Sequence, residues 1–264
     1  MKPDISEFSY GYAVTHELAS KYKLISAPEF PTLYKEGKKG GGYDVKLPFK
    51  LFPLFLQFKL SDCLEKTSAK EHRPRHFEVP YFRMHLRPLK HSLQHNLLLE
   101  LEASGSMVYY IAPAFYKTEE FNHFYLKNSI LSNSVLISPH KIGALPDDDD
   151  HYVVFKAGAK KGYFCSDNPQ EISLYSIDDA LGPIKDEFKN TNRMKSAENF
   201  FRELSEKMVS VIEQVELKQK KLSNEEAGID IAGLRALIDQ KEPEEACAYI
   251  SRTIFNSELV IIGR

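Results

Sequence analysis

One stretch constrains this chain more than any other. In Leu54-Phe55-Leu56-Gln57-Phe58-Lys59-Leu60, Leu54, Leu56, Phe58 and Leu60 fall on one side, while Gln57 and Lys59 project together from the other. A period of two is that of a β-strand. Its strong apolarity predicts a central strand; the plain alternative is an edge strand whose lysine only discourages aggregation. A second alternating run precedes it, Tyr43-Asp44-Val45-Lys46-Leu47, entered through Gly40, Gly41 and Gly42. This run sets Asp44 and Lys46 against the face of Tyr43, Val45 and Leu47. Pairing of the two strands would bring Asp44 alongside Gln57 and Lys59.

The flanking elements follow from the same periodicities. Residues 4–22 read as an amphipathic helix with wide apolar coverage, Phe8, Tyr12, Thr15 and Ala19 on one side and Tyr10, Val14, Glu17 and Leu18 around the rest. A basic, proline-containing loop spans 28–39, and a second polar and basic loop 65–80. A strand is expected over 82–87, a helix over 92–103 with Leu97, Leu98 and Leu101 as its stripe, and a strand over 108–112 ended by Pro113. Beyond these come a short helix at 119–126, strands at 134–137, 151–156 and 163–165, and an acidic turn, Asp147 to Asp150. That turn lacks the pattern of a calcium loop and reads as solvated. A long helix from Ser196 carries Phe201, Leu204, Met208, Val211, Ile212 and Val215 at three-and-four spacing, more often core than partner surface. Helices at 231–240 and 243–256 and a strand at 259–262 close the chain. The expectation is an α/β protein: residues 1–175 a core with a mixed central sheet flanked by helices, and 176–264 a mainly helical C-terminal extension packed on it.

Composition narrows the function classes. With 264 residues, 42% hydrophobic and 27% charged, the chain can bury a substantial core. No apolar run reaches bilayer length and no apolar block follows Lys2, so a cytoplasmic protein without membrane attachment is expected. Cys63, Cys165 and Cys247 are an odd set without CxxC spacing, which argues against a disulfide scaffold or a zinc cage. The net charge of −2 means that any nucleic-acid surface must be local.

The polar residues fit one chemistry in particular. Phosphodiester hydrolysis uses a divalent ion that polarises the phosphate and acidifies a water, and a hard ion such as Mg²⁺ takes oxygen ligands. Asp44 offers a carboxylate, Gln57 an amide oxygen, and Lys59 an ammonium that orients the water and screens developing charge. Gly41 and Gly42 leave room for a phosphate backbone, and Lys39, Arg73 and Arg75 on the basic loops are candidates for phosphate contacts. Taken separately, Asp44 suits a strand-entry turn and Gln94 with His95 a helix start.

The run Gly40-Gly41-Gly42-Tyr43-Asp44-Val45 followed by Leu56-Gln57-Phe58-Lys59 resembles the motif of the PD-(D/E)xK nuclease superfamily. It is most similar to the Mrr-like restriction endonuclease variant, in which Gln replaces the second acidic residue. The resemblance covers residues 4–115. It implies a restriction-endonuclease-like core and a Mg²⁺- or Mn²⁺-dependent endonuclease acting on double-stranded DNA, in restriction or antiphage defence. It also implies an acidic residue on the first helix, for which Glu17 is the candidate and Glu7 the runner-up, and a polar residue facing the site from the second helix, Gln94. A homodimer or a partner protein in a defence complex accords with it. The rival reading is a nuclease-like fold without turnover, acting as a binding subunit, which the neutral Gln57 favours.

Overall fold

The computed structural model describes residues 1–22, 52–67, 78–166, 168–182, 197–220 and 229–262. The elements in order are helix α1 (Glu7–Tyr22), strands β1 (Phe52–Phe58), β2 (Ser61–Leu64) and β3 (Tyr81–Leu86), helix α2 (Gln94–Ala103), β4 (Met107–Pro113), α3 (Thr118–Leu126), β5 (Ser134–Ile137), α4 (Pro139–Ile142), β6 (His151–Phe155), β7 (Lys161–Cys165), β8 (Gln170–Ser173), α5 (Ala197–Lys220), α6 (Ile231–Gln240), α7 (Pro243–Thr253) and β9 (Glu258–Ile262). They build two sheets, a four-stranded one in the order β5-β4-β1-β9 and a five-stranded one in the order β2-β3-β6-β7-β8. The fold is therefore α/β, as the sequence suggests, with parallel and antiparallel strands in the first sheet and helices against it.

The strand that carries Gln57 lies inside its sheet. It pairs in parallel with β4, Gln57 opposite Tyr110, and antiparallel with β9, Leu54 opposite Val260. Parallel neighbours need a crossover, and here β3 and α2 lie between β1 and β4 in the chain. Burial on both faces explains the near-continuous apolar sequence of β1. Leu54 and Leu56 pack with Tyr10, Val14 and Leu18 of α1, whereas Phe55 faces Leu97, Leu98 and the 197–220 helix. Each of these fully buried side chains contributes roughly 1.5–3 kcal/mol. Gly11 sets how near α1 comes, because a Cβ there would fall 2.9 Å from the Phe58 ring.

Several expectations are adjusted by the tertiary structure. The strand segment around Asp44 lies outside the described residues. Over Leu54–Leu56 both edges of β1 are taken, by β4 and by β9. The boundary expected near residue 175 also runs through the first sheet, because β9 is a strand of it. On α1 the buried face is Tyr10, Ala13, Val14 and Leu18, while Phe8 and Tyr12 are exposed. The stripe expected on α5 is buried throughout, from Phe201 to Val215. Among the described residues no helix is long and apolar enough to cross a membrane.

Candidate functional site

At the C-terminal end of β1 the polar pair meets the start of α2. Gln57 is 2% exposed and sits in the sheet. Lys59 is half-buried just beyond the strand, its N–H donating to Ile111 at 3.0 Å, which carries the parallel ladder one step further. Period two keeps both side chains on the face of Phe55, and that face is covered by α2. There Gln94 joins them. Its Nε2 donates to Gln57 Oε1, and its Oε1 accepts from Lys59 Nζ at 3.2 Å. Gln57 Nε2 donates to the Phe58 carbonyl at 3.0 Å, which fixes which end of its amide faces Gln94. Gln94 Nε2 also lies 3.5 Å from the carbonyl oxygen of Phe255 and 3.4 Å from that of Asn256, so the turn before β9 closes over the same residue. Gln94 is thus no helix cap; the Gln94 N–H itself is served by Ser92 Oγ at 3.2 Å.

Charge collects around this cluster. Desolvation pulls the Lys59 ammonium below the ordinary lysine range, Glu7 opposes that, and Arg87 adds to it. Glu7 sits at the surface at the start of α1, where partial desolvation pushes its carboxyl up against the pull of Lys59 and Arg87. A lysine held with a depressed pKa is a better proton donor and acceptor near neutrality than a free one.

Glu17, the other acid weighed on α1, stands apart. Ten residues along a helix is about 15 Å, and Glu17 is 6% exposed with its Oε2 accepting the Leu131 N–H at 3.0 Å. It thereby serves the first N–H of the 3₁₀ turn Leu131–Asn133. His95, next to Gln94, is also engaged elsewhere. Its Nε2 lies 2.7 Å from the Gly143 carbonyl oxygen and its Nδ1 2.9 Å from the Tyr110 hydroxyl. A carbonyl only accepts, so Nε2 carries the proton and Nδ1 accepts from Tyr110. Burial holds His95 below the ordinary histidine range.

Asp44, Gly41, Gly42, Lys39, Arg73 and Arg75 lie outside the described residues. The structure therefore joins Gln57, Lys59 and Gln94, sets Glu7 and Arg87 within electrostatic reach, and separates Glu17. Arg87 escaped the sequence reading, although the period-two series Arg83, His85, Arg87 put a third basic residue on one face of that strand. Gln57 and Glu7 offer the oxygen donors a hard divalent ion prefers. Among the described residues no group of three or more histidine, cysteine, aspartate or glutamate side chains is gathered for a metal. Compared with family models, curated proteins and solved structures, the chain matches none.

Proposed function

We propose that the chain is a Mg²⁺- or Mn²⁺-dependent endonuclease that hydrolyses phosphodiester bonds in double-stranded DNA. The observation that carries this reading is the convergence of Gln57 and Lys59 on Gln94 at one end of an internal strand, with a carboxylate, Glu7, facing the lysine. Gln57 Oε1 and Glu7 would hold the ion together with Asp44, which enters on the sequence resemblance alone. Bound there, the ion would acidify a water and polarise the phosphate. Lys59 orients that water and screens the charge that develops on the phosphate oxygens. Gln94 keeps the Lys59 ammonium from swinging away, and Glu7 favours its charged form. Glu7 takes the role that the sequence had offered first to Glu17, because only Glu7 faces Lys59. Restriction or antiphage defence, in the cytoplasm and with a homodimer or partner protein, is the setting that the resemblance suggests.

One observation favours the second reading, a nuclease-like binding subunit without turnover. Gln57 Oε1 is occupied by Gln94, so it becomes a ligand only by giving up a buried hydrogen bond. Plasmid DNA incubated with Mg²⁺ or Mn²⁺ separates the two. Cleavage by the wild type and its loss in Asp44→Ala and Lys59→Ala is the expected result. Equal behaviour of all three proteins removes the nuclease reading, and a wild type inert towards DNA yet stably bound to a protein partner supports the second.

A further inference from the structure

The turn between α7 and β9 delivers two carbonyl oxygens to the polar cluster, and the backbone of one residue aims them. Gln94 is 8% exposed, so both N–H bonds of its side-chain amide need acceptors inside the protein. Gln57 Oε1 takes one, and the carbonyl oxygens of Asn256 at 3.4 Å and Phe255 at 3.5 Å serve the other. Carbonyls only accept, so they hold Nε2 on their side and leave Oε1 turned to Lys59 Nζ at 3.2 Å. The turn itself is stitched down on both sides of Asn256. Phe255 is fully buried and its N–H donates to the Ile250 carbonyl at 3.3 Å. The Ser257 N–H donates to the Ser251 carbonyl at 3.0 Å, and the buried Ser251 hydroxyl donates back to the Ser257 carbonyl at 2.8 Å. Between these anchors Asn256 takes a φ of 46°, in the left-handed region, and β9 then begins with Glu258 opposite Leu56, one residue before Gln57. Asparagine adopts that conformation more readily than most residues other than glycine, and a β-branched side chain resists it. The Asn256 side chain is exposed, so what this residue contributes to the cluster it contributes through its backbone.

We propose that Asn256 is a positioning residue: its left-handed backbone aims the Phe255 and Asn256 carbonyls at Gln94 Nε2 and so sets the sense in which the Gln94 amide meets Lys59. The effect on catalysis rests on the nuclease reading; the effect on Gln94 does not. With the carbonyls turned away, one buried N–H of Gln94 loses its acceptor, and the amide rotates to find another, which takes Oε1 from Lys59.

The test compares Asn256→Gly, which accepts the same backbone, with Asn256→Val, which opposes it, and uses Asn256→Ala as the milder variant where valine prevents folding. In the full chain, isotope-labelled on its glutamine side-chain nitrogens, the Gln94 amide resonances are assigned by their loss in Gln94→Leu. They are expected to stay in place in Asn256→Gly and to move towards the position of a free amide in Asn256→Val or Asn256→Ala. On duplex DNA with Mg²⁺, Asn256→Val is expected to lower kcat about tenfold with KM held within about twofold, and Asn256→Gly to cut within about twofold of wild type. Added to Gln94→Leu, Asn256→Val is expected to cost no further activity, because both act through one amide. Gln94 resonances unmoved by valine and alanine overturn the proposal, as does a loss that adds in full to that of Gln94→Leu. Resonances that respond in a chain that never cuts leave the positioning role standing and remove the nuclease reading. Equal cutting by the wild type and Asn256→Val, with the resonances in place, does the reverse.

Discussion

Helix α1 carries two carboxylates ten residues apart, and they meet opposite fates. Glu17 is enclosed under the turn at Leu131 and accepts a backbone N–H. Glu7 lies at the open end of the same helix, facing Lys59 and Arg87. Both are glutamates on one helix, so residue type does not distinguish them. What distinguishes them is what packs opposite: a buried chain turn lacking an acceptor in one case, a cluster of cations at a sheet end in the other. A carboxylate committed to an amide is part of the scaffold, whereas one that bears on a lysine ammonium is free to take part in chemistry.

The comparison breaks most readily at Glu7. Glu7→Gln is expected to lower DNA cleavage about 100-fold with the melting temperature within about 1 °C of wild type, as befits a surface change. If Glu17→Gln removes cleavage at native stability while Glu7→Gln cuts normally, the two roles are exchanged. Next in size is Glu17→Ala, which leaves the buried Leu131 N–H without an acceptor. It is expected to cost about 2 kcal/mol, or a fall of about 5 °C in a thermal melt, and Glu17→Gln, which keeps an oxygen there, about half as much. Chemical denaturation of both variants checks the ranking.

A smaller effect is expected at Gln94. Gln94→Leu fills the space but releases Lys59 and leaves Gln57 Oε1 unpaired, so cleavage should fall about tenfold, with a loss of about 1 kcal/mol of stability. Single-turnover rates at saturating DNA read the first, and a urea titration the second. Full activity in Gln94→Leu would show that Lys59 needs no tether.

The smallest effect concerns His95, the buried neighbour that takes no part in the site. Its folded-state pKa is lowered by burial. Below about pH 6.5 the unfolded chain therefore takes up a proton that the folded chain refuses. The stability contributed by neutral His95 is complete above that pH and is lost as the pH falls through the lowered folded value. His95→Gln, which can still accept from Tyr110 and donate to Gly143, is expected to lose less stability between pH 6.5 and 5 than the wild type does. Parallel curves of melting temperature against pH would show that His95 is not the group being titrated.

Much of the fold was legible because its signals are local. The stripe from Phe201 to Val215 repeats every three or four residues over a long segment, and all of its members are buried. The short strands β2 and β8, Ser-Asp-Cys-Leu and Gln-Glu-Ile-Ser, carry too few apolar positions to show alternation, and they become strands only through their neighbours β3 and β7. The one-turn helix at Pro139 did have a signal, Ser138 as cap with proline in the first position, and the Ser138 side chain does accept from Lys141. For the site, period two put Gln57 and Lys59 on one face. Gln94 as their shared partner and Glu7 as the acid acting on Lys59 both required knowing which segments meet.

The sequence by itself determined the phase of each element: which residues of the 52–58 strand look one way and which the other, and which stripe of the 197–220 helix is apolar. Those are properties of adjacent residues, set by backbone geometry. Only the tertiary structure decided that this strand lies between Met107–Pro113 and the last strand of the chain, that Gln94 reaches both its polar residues, and that one glutamate of the first helix is enclosed while the other faces cations. Contacts between segments far apart in the chain are chosen by the packing of the whole core, and no local period encodes that choice.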